Sequence, residues 1–185
     1  KNLGLSPLDE YFAAARGYQG EKGDVKALAM KKWFNTNYHY MVPEIDDNTV
    51  LKLSDNKPFE LFTEALDNGV KTTPVIIGPY TFLELARYIG TKTKENFFGN
   101  ITDAYIQIIG KFVTLGAEWL QLDEPCLVKD MSREDIEFFN SLYIKILENK
   151  NGLKIRLQTY FGDVRDCYKE ICALDFDGIG LDFIE

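Results

Sequence analysis

The sequence is poor in the residues that build metal and disulfide frameworks: one histidine and three cysteines among 185 residues. A lone His39, with no HxH, HExxH or CxxC spacing, argues against an all-protein zinc site. Cys126, Cys167 and Cys172 form an odd set without paired spacing. That argues against a disulfide framework and for a reducing cytosol, so all three are expected as buried small apolar side chains. No run approaches 18 apolar residues, which argues against a membrane span. The opening KNLGLSPLDEY lacks the apolar core of a secretion signal. It also lacks an initiator Met, so the chain is expected to begin mid-protein. No GxGxxG, Walker loop or GxSxG occurs, which removes the dinucleotide, P-loop and hydrolase-elbow readings. Basic clusters are missing too. The net charge is −8, and only Lys31-Lys32 and the spaced Lys92/Lys94 come near a basic run, so no nucleic-acid partner is expected.

What is present suits one globular domain. Apolar residues make up 45% and charged residues 27%, and thirteen Phe with ten Tyr can bury much surface. Residues 1–57 form an irregular entry segment. In it 8–15 is expected to be a short helix, started by Ser6-Pro7 and stopped by Gly17. GYQGEKGD reads as a loop, and VKALAMKKWFNTNYHYMVPE starts helix-like and becomes extended near 38–42. From Pro58 the pattern is regular. Phe59, Phe62 and Leu66 share a helix face over 58–68 that Gly69 ends. PVIIG, WLQLDEP, KIRLQTY and GIGLDFIE read as strands. Between them 80–89, 101–115, the segment opened by a Ser132–Asp135 capping box, and 164–174 read as helices.

The order after residue 70 is therefore strand and helix in alternation, which implies a parallel sheet, doubly wound or closed as a barrel. A (β/α)₈ barrel takes about 250 residues. With four strands and no helix after the last, the expectation is α/β: a partial (β/α)₈ barrel, an incomplete single domain with 58–185 alternating. Its unpaired sheet edges predict self-association by dimerisation or strand exchange.

Chemistry in such sheets sits at the carboxyl ends of the strands. Those ends are 78–81, 123–125, 159–161 and 182–185, and acids occur at the second and fourth. Asp123 and Glu124 are adjacent, so their side chains point to opposite faces while the strand lasts, and one of them is expected at the barrel mouth. An acid that merely bonds a neighbouring loop fits the position equally well. A second constellation gathers Lys31, Lys32, Trp33, Asn35, Asn37, Tyr38, His39 and Tyr40. Cations, amides and aromatics so close together suit a ligand with carboxylates and a flat ring. The same residues suit an aromatic-rich structural turn, with His39 satisfied in the core.

The string KKWFNTNYHYMVPE closely resembles a signature in the N-terminal half of cobalamin-independent methionine synthases, the methyltetrahydropteroyltriglutamate–homocysteine methyltransferases. The usual form there is Met-Thr-Lys-Trp-Phe leading into Asn/Asp-Thr-Asn-Tyr-His-Tyr, and Lys31 stands in place of the Thr. GPYTFL at 78–83, QLDEP at 121–125 and LQTYFGDV at 157–164 agree in order and spacing, so the resemblance runs from about residue 12 onward.

It implies two face-to-face (β/α)₈ barrels, the first helping to hold the folate and its polyglutamate tail. The second carries zinc, homocysteine and the catalytic His. It also implies that the lysine before Trp-Phe, Lys32, contacts 5-methyltetrahydropteroyltriglutamate, as a point charge meeting glutamate carboxylates. Asn37, His39, Asp123 and Glu124 are secondary candidates, with the acid pair a structural relic or a support for the folate cleft. The family's opening Gly-Phe-Pro-Arg segment is absent from this sequence. So are the remainder of the first barrel and the whole zinc-bearing barrel. The expectation is a chain with no cofactor of its own, partnered by the missing zinc domain, inactive in methyl transfer alone. Two alternatives remain: a structural remnant with no ligand, or an unrelated small barrel enzyme. The second would be a carboxylate-pair glycosidase using acids at 123–124 and 182–185, or a relative of uroporphyrinogen decarboxylase. A glycosidase needs its carboxyls about 5–9.5 Å apart. The decarboxylase needs pocket cations that Arg16, Arg87, Arg156 and Arg165 do not supply at strand ends.

Overall fold

The computed structural model describes residues 3–54 and 56–183. Helix α1 (Pro7–Arg16) begins where the Ser6 hydroxyl accepts the Asp9 amide, and ends where Gly17 turns to φ 82°. Strands β1 (Met30–Lys32) and β2 (His39–Met41) form an antiparallel ribbon of their own. Strand β3 (Glu44–Asp46) follows. Helix α2 (Lys57–Asp67) buries Phe59 and Phe62 and leads to β4 (Val75–Ile77). Helix α3 (Pro79–Leu85) starts directly after β4. Strand β5 (Arg87–Ile89) then pairs in parallel with β3. Helix α4 (Phe98–Thr114), β6 (Trp119–Asp123), α5 (Arg133–Leu147), β7 (Lys154–Gln158), α6 (Tyr168–Ala173) and β8 (Gly178–Gly180) complete the alternation.

The main sheet is parallel in the order β4-β6-β7-β8, and among the described residues it does not close on itself. Its two faces differ. Leu120, Leu122, Ile155 and Leu157 are fully buried against the helices. The alternate positions Trp119, Gln121, Asp123, Lys154, Arg156 and Gln158 lie on the opposite, less covered face. That face is polar: the Arg156 guanidinium donates to the Gln121 carbonyl, and the Gln121 amide donates to Asp123. The core lies between sheet and helices and is built on Ile109, Phe112, Phe139, Leu142, Tyr143 and Ile146. Each such side chain contributes about 1.5–3 kcal/mol on burial. Burial therefore outweighs exposed ion pairs such as Arg133–Glu137, which are worth little. One ion cluster is sheltered: Lys94 lies between Glu84 and Asp135 and ties α3 to α5. No helix among the described residues is long and apolar enough to cross a membrane.

Several expectations need correction. The helix expected over 80–89 stops at Leu85, because Ala86 turns extended and the chain enters β5. Tertiary contact decides this: the half-buried Tyr88 packs on Phe97, and its hydroxyl donates to the Leu83 carbonyl. The helix expected over 164–174 contracts to Tyr168–Ala173, since Asp163 accepts the Arg165 amide and holds the preceding residues in a turn. Cys126 and Cys167 are buried as expected, but Cys172 is exposed, on the outer side of a one-and-a-half-turn helix. The entry segment is more ordered than its pattern implied, holding β1, β2 and β3. The last strand is shorter than GIGLDFIE, and Ile184 and Glu185, the latter an acid of the fourth strand end, lie outside the described residues.

Candidate functional site

The ribbon β1–β2 is closed by the turn 33–38, which is braced from within. The Trp33 amide donates to the Tyr38 carbonyl at 2.7 Å. The Thr36 hydroxyl donates to the Trp33 carbonyl at 2.6 Å and accepts the Tyr38 amide at 3.1 Å. In the ladder Lys32 stands opposite His39, and Lys31 opposite Tyr40. Opposed residues share a face, so Lys32 and His39 project together, and both are exposed. The core-histidine account of His39 is thereby corrected. Asn37 is exposed in the turn beside them. Lys31, at the position where the resembled signature has Thr, points to the other face with Tyr40.

The ribbon rests on the carboxyl ends of the parallel strands. The Phe34 ring stacks on Phe161 at 5.3 Å between centroids, with planes 29° apart. The Lys129 ammonium sits 5.7 Å from the Phe34 centroid. Trp33 stands edge-on to Phe34 and Tyr40. The Tyr40 hydroxyl reaches the Leu85 carbonyl at 3.4 Å, and burial, then the neighbouring Cys126, raise its pKa. Phe34 and Phe161 both hold left-handed backbone, at φ 51° and 78°, a conformation that costs a bulky residue on the order of 1–3 kcal/mol.

Asp123 ends β6 on the polar face. It accepts the Gln121 amide at 2.7 Å and the Tyr160 hydroxyl at 3.2 Å. Burial and then the Asp123 charge hold the Tyr160 phenol well above its ordinary pKa. Tyr160 packs edge-on against Phe161, and the Phe161 amide donates to the Asp182 carboxylate at 3.1 Å. The ends of β6, β7 and β8 are thus stitched together under the ribbon turn. Beside Phe161 opens a cleft of about 530 Å³, lined in part by Asp163, Arg165, Tyr168, Lys169 and Asp182.

Glu124 is elsewhere. The strand has ended, and its side chain is fully buried beneath α3. It accepts the Tyr80 amide at 2.9 Å, the Thr81 amide at 2.7 Å and the Tyr143 hydroxyl at 2.6 Å. Tyr80 and Thr81 belong to the first turn of α3, so the carboxyl satisfies orphan donors and meets the positive end of the helix. Burial pushes its pKa up to about 7, against the pull of the Thr81 and Tyr143 bonds. Of the two adjacent acids, then, Asp123 alone reaches the strand-end face.

The structure brings Lys32, His39 and Asn37 together. It links Asp123 to them through Tyr160, Phe161 and Phe34, and sets Glu124 apart. Tyr160, Phe161, Lys129 and Tyr143 carry roles that residue types did not reveal. The phrase TYFGD marked a strand end, but nothing in it announces a left-handed Phe. Among the described residues no group of His, Cys, Asp and Glu is arranged to hold a metal ion.

The comparisons with known proteins agree with one another. A profile of the family described as "Cobalamin-independent synthase, N-terminal domain" matches residues 1–185. A 5-methyltetrahydropteroyltriglutamate–homocysteine methyltransferase of Lactococcus lactis subsp. lactis is 55% identical over 185 residues, covering 100% of this chain and 24% of the relative. The protein of the same name from Streptococcus thermophilus is 52% identical, covering 100% of this chain and 25% of its own. That from Campylobacter jejuni subsp. doylei is 51% identical, covering 100% and 24%. The chain thus spans about a quarter of the length of the curated relatives it matches. A solved Listeria monocytogenes structure, provisionally assigned as a vitamin-B12-independent methionine synthase, matches with TM-score 0.59 at 18% identity. It covers 74% of this chain and 46% of that one, a likeness of fold.

Proposed function

We propose, from the premise that this chain belongs to the cobalamin-independent synthase N-terminal domain family, that it supplies part of the folate-binding half of a methionine-forming methyltransferase. The reaction moves a methyl group from 5-methyltetrahydropteroyltriglutamate to homocysteine, as the relatives' name states. The four parallel strands are then one portion of a (β/α)₈ barrel, and the ribbon over their carboxyl ends holds the tail of the folate. The observation that carries this reading is the register of the ribbon, which sets Lys32 beside His39 on one exposed face. An ammonium there meets a glutamate carboxylate without first breaking an ion pair, since no acid lies within bridging distance of Lys32 among the described residues. Asn37 adds an amide for the same tail.

Methyl transfer to a thiol requires a thiolate, and in this family zinc supplies it by binding homocysteine. The residues described here do not fit such a site, so the reading assigns that step to a partner zinc domain and leaves this chain inactive alone. A reducing cytoplasm suits the three free cysteines. In isolation, β4 and β8 present sheet edges without a further strand among the described residues, and the exposed Val75 makes the first of them apolar. The chain on its own should therefore associate, seen as a concentration-dependent shift to dimer in size-exclusion chromatography. A monomer at every concentration would contradict that.

Calorimetric titration with 5-methyltetrahydrofolate triglutamate tests the reading. Saturable binding that Lys32→Ala weakens by about tenfold, the size of a lost charge-assisted contact, supports it. A weaker loss is expected for the monoglutamate, whose tail is shorter. Absence of binding in the unmutated chain refutes the ligand role and leaves a structural one.

A further inference from the structure

The ribbon bearing Lys32 and His39 is an unusual support for a binding site. Its two strands hold three residues each and, among the described residues, pair only with one another in the ladder. A two-stranded ribbon is marginal in water unless it packs on something. What it packs on is an aromatic contact with a cost at both ends, since Phe34 and Phe161 each adopt left-handed backbone to bring their rings together. Phe161 in turn is fixed by its amide on Asp182 and by Tyr160, itself bonded to Asp123. Two strained residues meeting at one stack mark a contact on which the surrounding geometry converges.

We infer that the Phe34–Phe161 stack is the dock that fixes the Lys32–His39 face over the strand ends, so that both phenylalanines are positioning residues for the site. This rests on the ligand reading above only for what is bound, and the docking itself is independent of it. Lys129 over the Phe34 ring adds to the hold, and the Tyr40 hydroxyl is a second, longer tether. Within the undocked ribbon the Trp33 and Thr36 amides, now bonded inside the turn, would exchange with solvent. The core should keep most of its packing, because neither ring is among its fully buried side chains and Phe34 only borders it.

Amide hydrogen exchange on Phe34→Ala, Phe161→Ala and Phe161→Gly tests the inference. The pair Phe161→Ala and Phe161→Gly separates docking from stability. Both remove the ring, but glycine takes φ 78° without strain, so Phe161→Gly should melt higher than Phe161→Ala. If the stack docks the ribbon, all three variants speed exchange at Trp33 and Thr36 by about tenfold, the upper worth of one aromatic pair. Core amides of α4 and α5 should keep their protection, and Phe161→Gly should not restore the ribbon despite its higher melting temperature. Ribbon exchange that is unchanged, or that recovers in Phe161→Gly together with the melting temperature, overturns the inference. Where the unmutated chain binds the triglutamate, Phe161→Gly should weaken that binding three- to tenfold, and unchanged affinity would overturn the positioning role. A chain that fails to bind sinks the ligand reading alone, and the exchange data still decide this one.

Discussion

Glu124→Ala should destabilise the chain by about 3–5 kcal/mol, since each buried donor left unpaired costs about 1–3 kcal/mol. Truncation leaves the Tyr80 amide, the Thr81 amide and the Tyr143 hydroxyl without their acceptor at the foot of α3. Glu124→Gln should cost less, about 1–3 kcal/mol, since it keeps the volume and one acceptor but turns an amide donor toward donors. Denaturant unfolding measures both, and a loss under 1 kcal/mol for Glu124→Ala would mean that the network carries little.

The pH dependence has a defined sign. Burial raises the folded pKa of Glu124 to about 7, above the roughly 4.3 of an unfolded glutamate. The folded state therefore holds the extra proton between those values. The stability this contributes is full below about pH 4 and is lost as pH rises through about 7, a fall of about 4 kcal/mol at most. Asp135 and Asp177 act the other way, and lower down. Despite their burial, bonds from Lys94 and Ser132 to the first, and from the Ile155 amide and Lys150 to the second, hold their pKa below the ordinary range. Their stability is lost in acid, so between about pH 5 and 7 the slope belongs to Glu124. Glu124→Gln should flatten the curve in that window, and an unchanged slope in the variant would assign it to another group.

Gly78→Ala should cost about as much as the loss of Glu124, by a different route. The backbone at 78 is ordinary extended chain, φ −75°, so alanine brings no backbone strain. Its methyl, however, would lie 2.2 Å from the Glu124 carboxyl carbon. That carboxyl cannot move away without abandoning three donors. Overpacking of this kind costs about 1–3 kcal/mol, and displacement of the carboxyl adds the loss of its bonds. The two substitutions should then be strongly non-additive. In the Glu124→Ala background the carboxyl that crowds this position is gone, and Gly78→Ala should cost under about 0.5 kcal/mol. Additive losses in a double-mutant cycle would show that the glycine is required for another reason.

Much of the architecture was legible because it rests on burial. Strand β4 is a short apolar run between Pro74 and Gly78, β6 and β7 alternate apolar with polar residues, and α4 and α5 repeat apolar residues at helical spacing. The Ser132–Asp135 box formed as its spacing implied. What escaped depends on contacts distant in sequence. Strands β1, β2, β3 and β5 have three residues each, too few for alternation to register. Residues 87–89 carry a helix-compatible string, and pairing with β3, together with Tyr88 packed on Phe97, draws them straight. The site was half legible. The signature around Trp33 pointed to Lys32 and His39, but their shared face follows from a register that no local pattern states. Asp123 and Glu124 look equivalent side by side, and they part because β6 ends between them.

The parallel order of the main sheet has a kinetic consequence. Neighbours in β4-β6-β7-β8 are joined through at least one intervening helix, and β4 and β6 through two helices and a strand, so Val75 must find Gln121, and Trp119 must find Lys154, across long stretches of chain. Loop closure is then spent before any pairing rewards it, and folding should be slow for the chain's size. The antiparallel ribbon, like the Tyr18–Val25 bridge, is a local pairing across a close turn, yet the ribbon cannot hold until Phe161 is in place. Helices should form first and the sheet next, with the Lys32–His39 face set last, so that the candidate site is assembled only on a finished scaffold.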